Sequence, residues 1–263
     1  MTLKRAQKTV DYFVGQFAEG YFPPHEIMTI LTEEIGEMAR AVNHLHGPKY
    51  KKPDEFLTEL SDEIGDVLYS LICMANAHGI DAQDAIRRTI LKINTRDLSR
   101  WKKKENYSLR HWKPEHFFAL EDARTYYDLG KIALDVLQKM PRPIGQVCGP
   151  ISSGGHGSIE KNMEYFNRTI EKLNERGIVV FNQMPFEIPM QEMKISSQLP
   201  KEEANLKLLQ DFYFPIFESG LIDRLYFMNN WKTSHGSRIE RQRAIDGKIS
   251  IQTLPQDFLD SMA

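Results

Sequence analysis

"LTEEIGEMAR" at residues 31–40 sets three glutamates, Glu33, Glu34 and Glu37, into a stretch whose apolar residues otherwise follow a helical period. "LSDEIGDVLY" at residues 60–69 repeats the device, with Asp62, Glu63 and Asp66 among Leu60, Ile64, Val67 and Leu68. At 3.6 residues per turn, Glu34 shares a face with Ile27, Ile30, Leu31, Met38 and Ala41, and Glu37 follows one turn on. Glu63 falls between Leu60 and Val67, with Asp66 at the next turn. Acids on helices are usually solvated, but two pairs in tandem on the core stripes of adjacent helices argue against that. A carboxylate turned into a bundle is costly unless it is paired or metal-bound, and four together repel one another. No basic residues in these stretches are placed to neutralise them all. A divalent cation would do so, and Mg²⁺, with its preference for oxygen ligands, suits two helices that each offer two inward acids.

Outward from this core the helical period continues. Apolar residues recur at Leu3, Ala6, Val10, Phe13, Val14 and Phe17, at Ile27 to Val42, at Phe56 to Leu71, and at Ala85, Ile86, Ile90 and Ile93. Glycine and proline in "GYFPP", "HGPKYKKP" and "HGID" separate four predicted helices, which make an all-α bundle. The texture changes after Pro141. "IGQVCGP", "IVVFN", "RLYFM" and "ISIQTL" read as strands, with helices over 159–173, within 202–220 and over 236–246. Strands separated by helices imply an α/β unit with a parallel sheet. The sequence therefore divides into a helical domain at 1–110, a helical linker at 111–143 and an α/β domain at 144–263.

With a net charge of −2 over 263 residues, no nucleic-acid partner is indicated, and the basic run "WKKKEN" at 101–106 reads as a solvated patch. The two cysteines, Cys73 and Cys148, lie in apolar runs and suggest no disulfide framework. The sequence offers neither a secretory signal nor an apolar run of about 20 residues, so a soluble cytoplasmic protein without a membrane partner is expected.

The pairing of "EEIGEMA" with "DEIGDVLY" resembles the Glu-Glu-x-x-Glu and Glu-x-x-Asp motifs of the MazG-like all-α nucleoside triphosphate pyrophosphohydrolases. The likeness covers about residues 1–105. It implies metal ligation by Glu34, Glu37, Glu63 and Asp66, with Glu33 as a further ligand or a water-orienting group, and Mg²⁺ or Mn²⁺ as the cation. It also implies phosphate contacts from Lys92, Asn94 and Arg96 in "LKINTRDLSRW". The implied reaction is metal-assisted hydrolysis of a nucleoside triphosphate between its α- and β-phosphoryl groups, giving the monophosphate and pyrophosphate. Trp101, Trp112 and Tyr69 are available for stacking on a base or for ordinary packing, and the base stays unassigned. A bundle this small suggests a homodimer or homotetramer, as the resemblance also implies.

In the second half, "GPISSGGHGS" follows a strand and leads into a helix that Ser158 could cap, an arrangement suited to an anion. It is no P-loop, because no Gly-Lys-Ser/Thr closes it. Together with "DRLYFMNNWKTSHGSRIERQRAIDGKISI", Asp223 to Ile251, it is similar to the nucleoside 2-deoxyribosyltransferase-like superfamily, which implies a Rossmann-like fold for about residues 144–254. Gly149, Pro150, Ser234, Gly236 and Ser237 then match substrate-binding positions, and Glu240 matches the glutamate that attacks the anomeric carbon in catalytic relatives. Two features depart from that pattern: Ser237 replaces an alanine, and the first strand lacks an aromatic residue. On its residues alone, Glu240 also reads as an exposed first-turn glutamate favoured by the helix dipole. His156 and His235 lie in the loops that should meet at the strand ends. Nucleoside triphosphates and monophosphates are the expected ligands. A non-catalytic sensor for the second domain, or a binding protein without turnover, stays open.

Overall fold

The computed structural model describes residues 1–48, 59–97, 100, 104, 107–152 and 154–259. Phe56, Leu57 and Trp101, which the sequence reading used, lie outside the described residues. The chain forms two compact units, Met1–Arg96 and Asp97–Ala263.

The first unit contains α1 (Leu3–Val14), α2 (Pro24–His46) and α3 (Leu60–Ala77), and α4 (Ala82–Asp97) runs to its end. Thr2 caps α1 by accepting a hydrogen bond from the Arg5 amide at 3.2 Å, and Pro24 occupies the first turn of α2, where its missing N–H is no loss. Ile27, Leu31 and Ala41 of α2 and Ile72 and Cys73 of α3 are buried. A polar tie joins α1 to the end of α3. The Gln7 amide donates to Asn76 Oδ1 at 2.9 Å and to the Ile80 carbonyl at 2.8 Å, while its oxygen accepts from the Ala82 amide at 2.9 Å. The expected helical architecture is thus found, and no helix among the described residues is long and apolar enough to cross a membrane.

The second unit is built on four parallel strands, β1 (Ile144–Cys148), β2 (Val179–Phe181), β3 (Arg224–Phe227) and β4 (Ser250–Thr253), in the order β2-β1-β3-β4. β1 is buried at all five positions because it is paired on both edges, Gln146 lying opposite Phe181 on one side and Leu225 on the other. Side chains alternate between the faces. Ile144, Cys148, Phe181, Leu225 and Phe227 join one buried cluster, whereas Val147, Val180 and Tyr226 join another with Phe166, Ile170 and Leu173 of α7 (Ile159–Glu175).

The stretch read as a linker is a layer of this unit. It contains two helices, α5 (Pro114–Asp122) and α6 (Tyr126–Gln138). Thr125 and Asp128 cap α6 reciprocally: the Thr125 Oγ1 accepts from the Asp128 amide at 3.1 Å and the Asp128 carboxylate accepts from the Thr125 amide at 3.0 Å. Leu129, Ala133 and Val136 of α6 are fully buried in the first cluster, beside Leu225 and Phe227. An apolar helical stripe of this kind must cover a sheet face, and this is where it does so.

After β2 the chain makes a 3₁₀ turn, Met184–Phe186, and enters α8 (Glu187–Ser196), a helix that the sequence reading left out. The expected helix within 202–220 is α9 (Lys201–Leu208) and α10 (Phe214–Glu218), joined by one π turn at Leu209–Tyr213. The helix expected over 236–246 is α11 (His235–Asp246).

Candidate functional site

The helical unit brings its acids together. One carboxylate oxygen from each of Glu34, Glu37 and Glu63 lies within 4.8 Å of the others. Glu63 is buried, and its Oε2 has no hydrogen-bond partner among the described residues. Glu37 is half-buried and paired with Arg40 at 2.6 Å, so one acid has a local counter-ion. Partial burial, then the charges of Asp66, Glu37, Glu33 and Glu63, hold the Glu34 carboxyl above its ordinary range. Asp66 and Glu33 therefore act on the cluster through their fields, although both are exposed and neither belongs to the close trio. A buried carboxylate oxygen without a donor, inside a like-charged group, fits a cation ligand set.

Beside the acids lies a cavity of about 710 Å³, lined by Glu34 and Asp66 and by the rings of Phe13, Phe17, Tyr21 and Tyr69. Of the three stacking candidates, Tyr69 is therefore next to the acids. Trp112 belongs to the second unit's core, where its indole N–H donates to the Asn182 carbonyl at 3.1 Å. Lys92, Asn94 and Arg96 are exposed on α4, and none of them lines this cavity.

In the second unit a cavity of about 140 Å³ opens where β1, β2 and β3 end, the usual place for a ligand in a parallel sheet. Gly149, Ser234, Gly236, Ser237 and Glu240 all line it, together with His235. Gly149 lets the chain leave β1 tightly, since a Cβ there would meet the Met228 sulfur at 2.3 Å. Pro150 is buried beside it. Ser234 caps α11 by accepting from the Ser237 amide at 3.3 Å, and Ser237 Oγ is buried without a partner. The two loops meet as expected: the Gly155 amide donates to Thr233 Oγ1 at 3.0 Å. His156 packs its ring on Tyr165, with centroids 4.4 Å apart, and does not line the cavity.

Glu240 is 7% exposed, in the second turn of α11, so it is not the solvated first-turn glutamate of the alternative reading. Burial raises its pKa to about 7, a hydrogen bond with the Cys148 thiol acting in the opposite direction. A second acid, missed in the sequence, shares the cavity. Glu187, also 7% exposed, has its pKa raised to about 7 by burial and then by the charge of Glu240. Its signal was an acid inside the apolar run "MPFEIPM", just beyond a strand.

Comparison with known proteins bears on the helical unit. Residues 22–101 match the family model of the MazG nucleotide pyrophosphohydrolase domain. The Bacillus subtilis (strain 168) protein YpjD is 50% identical over 104 residues, which are 40% of this chain and 94% of that protein. A crystal structure of YPJD from Bacillus subtilis is 48% identical, covering 36% of this chain and 96% of that one, with a TM-score of 0.33. A crystal structure titled as the Bacillus-conserved MazG protein, a nucleotide pyrophosphohydrolase, is 46% identical, covering 37% and 94%, with a TM-score of 0.32. The N-terminal part of the chain is thus a nucleotide pyrophosphohydrolase domain. Through it the chain belongs to the MazG family, whose enzymes depend in general on divalent metal.

The paired acids of the second unit yield a stability prediction. Between the unfolded value of 4.5 and the folded value of about 7, the folded state holds protons that the unfolded state has lost. Stability contributed by these groups is therefore complete below 4.5 and falls as pH rises to about 7. Residues 1–96 contain no tryptophan, so the fluorescence of Trp101, Trp112 and Trp231 arises entirely from beyond the helical unit. The melting midpoint of wild type should decline relative to Glu240→Gln across this window, and parallel profiles would refute the assignment.

Proposed function

We propose that the chain is a two-site nucleotide-processing enzyme: an Mg²⁺-dependent hydrolase that cuts a nucleoside triphosphate to monophosphate and pyrophosphate, and a second unit that binds the monophosphate and cleaves its N-glycosidic bond. The trio Glu34, Glu37 and Glu63, with a buried carboxylate oxygen lacking any donor, carries the first half of this reading. These residues and Asp66 would hold Mg²⁺, or Mn²⁺ in its place. When bound, the ion supplies positive charge against the triphosphate and lowers the pKa of water at the site. Glu33 would orient the attacking water, and Lys92, Asn94 and Arg96 on α4 would hold phosphate oxygens. Tyr69 and the phenylalanine rings of the adjacent cavity offer faces to a base.

For the second unit, which resembles the nucleoside 2-deoxyribosyltransferases, the burial of Glu240 in a cavity at the strand ends carries the reading. Gly149, Pro150, Ser234, Gly236 and Ser237 would cradle the sugar phosphate around the start of α11. The helical unit also exposes Val42 and Leu45 of α2 and Leu68 and Leu71 of α3, which supports self-association into a homodimer or homotetramer.

Three outcomes test these proposals. Glu63→Gln should reduce pyrophosphate release to background while the chain stays folded, and activity undiminished in excess chelator would remove the metal mechanism. Chromatography of products from each NTP and dNTP with Mg²⁺ should show monophosphate and then free base. Glu240→Ala should stop at the monophosphate, whereas no base from wild type would leave the second unit a sensor. Light scattering should give a mass of two or four chains, which Leu68→Glu lowers; a wild-type monomer rejects self-association.

A further inference from the structure

We propose that the cavity at the strand ends selects ribonucleotides over 2′-deoxyribonucleotides, and that the Ser237 hydroxyl makes the selection by hydrogen-bonding the 2′-hydroxyl of the sugar. The inference rests on the reading of this cavity as a nucleoside monophosphate site in which Glu240 meets C1′.

Three residues at the start of α11 line the cavity at a spacing of three: Ser234 caps the helix, Ser237 is in its first turn and Glu240 follows. Residues three apart on a helix are neighbours, with Cβ atoms about 5–6 Å from one another. The Ser234 hydroxyl is committed to the fold, because its Oγ accepts from the Ser237 amide at 3.3 Å. The Ser237 hydroxyl is not. Ser237 is 1% exposed, and its Oγ has no hydrogen-bond partner among the described residues. A hydroxyl on a helix commonly returns to the carbonyl four residues back, as those of Thr29, Thr32, Thr89 and Thr169 do in this chain. Ser237 makes no such bond. A fold rarely keeps a buried hydroxyl unmatched, since the unpaired group costs stability, and in a cavity lining the partner can arrive with the ligand.

The place of Ser237 in this row identifies the ligand group. Backbone N–H groups at the helix start suit the 5′-phosphate, and the Glu240 carboxylate meets C1′ in the proposed cleavage. Ser237 stands between these two points, one step from Glu240, and so borders the sugar beside C1′. The carbon bonded to C1′ carries a hydroxyl in a ribonucleotide and only hydrogen in a 2′-deoxyribonucleotide. The deoxyribosyltransferase-like pattern has alanine at this position, which offers such a hydroxyl no partner.

A second unmatched atom in the lining makes a compatible demand. Gln183 is 3% exposed, and its Oε1, an acceptor only, is buried without a partner among the described residues. The turn that carries it is fixed: Asn182 Oδ1 accepts from the Met184 amide at 2.9 Å, and the Asn182 carbonyl accepts from the Trp112 indole at 3.1 Å. A hydroxyl both donates and accepts, so the vicinal 2′- and 3′-hydroxyls of ribose can answer a serine hydroxyl and an amide oxygen together. A 2-deoxyribose brings one hydroxyl for the two. Sites built to hydrogen-bond a substrate hydroxyl reject the analogue that lacks it, because the buried partner is then left unpaired.

The test uses the full-length protein with matched pairs of ribo- and 2′-deoxyribonucleoside 5′-monophosphates for each base. Wild type should release base with a kcat/KM about 10-fold or more higher for the ribo member of a pair, and Ser237→Ala should cut that ratio by about 10- to 100-fold. Because Ser237 Oγ has no partner within the described fold, the same substitution should leave the unliganded melting midpoint, read by tryptophan fluorescence, unchanged or higher. That midpoint also shows that the variant is folded. A wild-type preference for the deoxy member, or equal losses on both sugars in Ser237→Ala, would overturn the inference while leaving Glu240 in place. A midpoint lowered by several degrees would assign the hydroxyl to the fold and overturn it as well. If wild type releases no base from any monophosphate, the Glu240 reading fails and binding decides the sugar. Ribonucleotides must then raise the wild-type midpoint more than their deoxy partners do, with the difference absent in Ser237→Ala, and equal shifts or none would reject the selection.

Discussion

A carboxylate withdrawn from water must be met by opposite charge, by hydrogen-bond donors or by a proton, and each unit of this protein is organised around that requirement. The helical unit gathers Glu34, Glu37 and Glu63 within ligand distance of one another and supplies one local cation, Arg40. The α/β unit buries Glu187 and Glu240 with no cation paired to either among the described residues. These are different solutions to the same cost. A trio of acids on two facing helices suits a divalent ion, because the ion's charge offsets several repulsions at once. A pair in a narrow cavity suits a proton, which neutralises one member and leaves the other reactive.

The scaffolds follow from what the acids need. On α2 and α3, helical spacing puts Glu34, Glu37 and Glu63 on the core stripes, in the same unit that buries Ile27, Leu31 and Ile72. In the second unit the parallel sheet ends all its strands at one edge, and the loops after β1, β2 and β3 converge there. The 3₁₀ turn held by Asn182 and the cap held by Ser234 each direct one glutamate to that edge. The sequence match to the MazG family falls on the first of these scaffolds, and the proposed glycosidic chemistry on the second.

Much of this was legible in the chain. Four helices, two of them with acids on their apolar stripes, and four apolar runs separated by helices, read directly from periodicity, because a helix repeats at 3.6 residues and a buried parallel strand is apolar throughout. Segment 111–143 was harder. Its apolar stripe over Leu129, Ala133 and Val136 was visible, but which sheet face it covers depends on pairings distant in sequence. α8 was missed because "PFEIPMQEMK" has prolines and a weak apolar period, and its helix is held by packing of Phe186 and Met190.

The sequence by itself determined the helical half and its acids, since residues three and four apart on one helix, and two such motifs in tandem, need no long-range information to be placed on facing stripes. It also determined that a parallel sheet follows. Only the tertiary structure decided that Glu240 is buried and that Glu187, 53 positions away along the chain, shares its cavity. Burial and its effect on protonation are properties of surroundings assembled from β1, α8, the π turn and α11, and no local pattern encodes the order in which those elements meet.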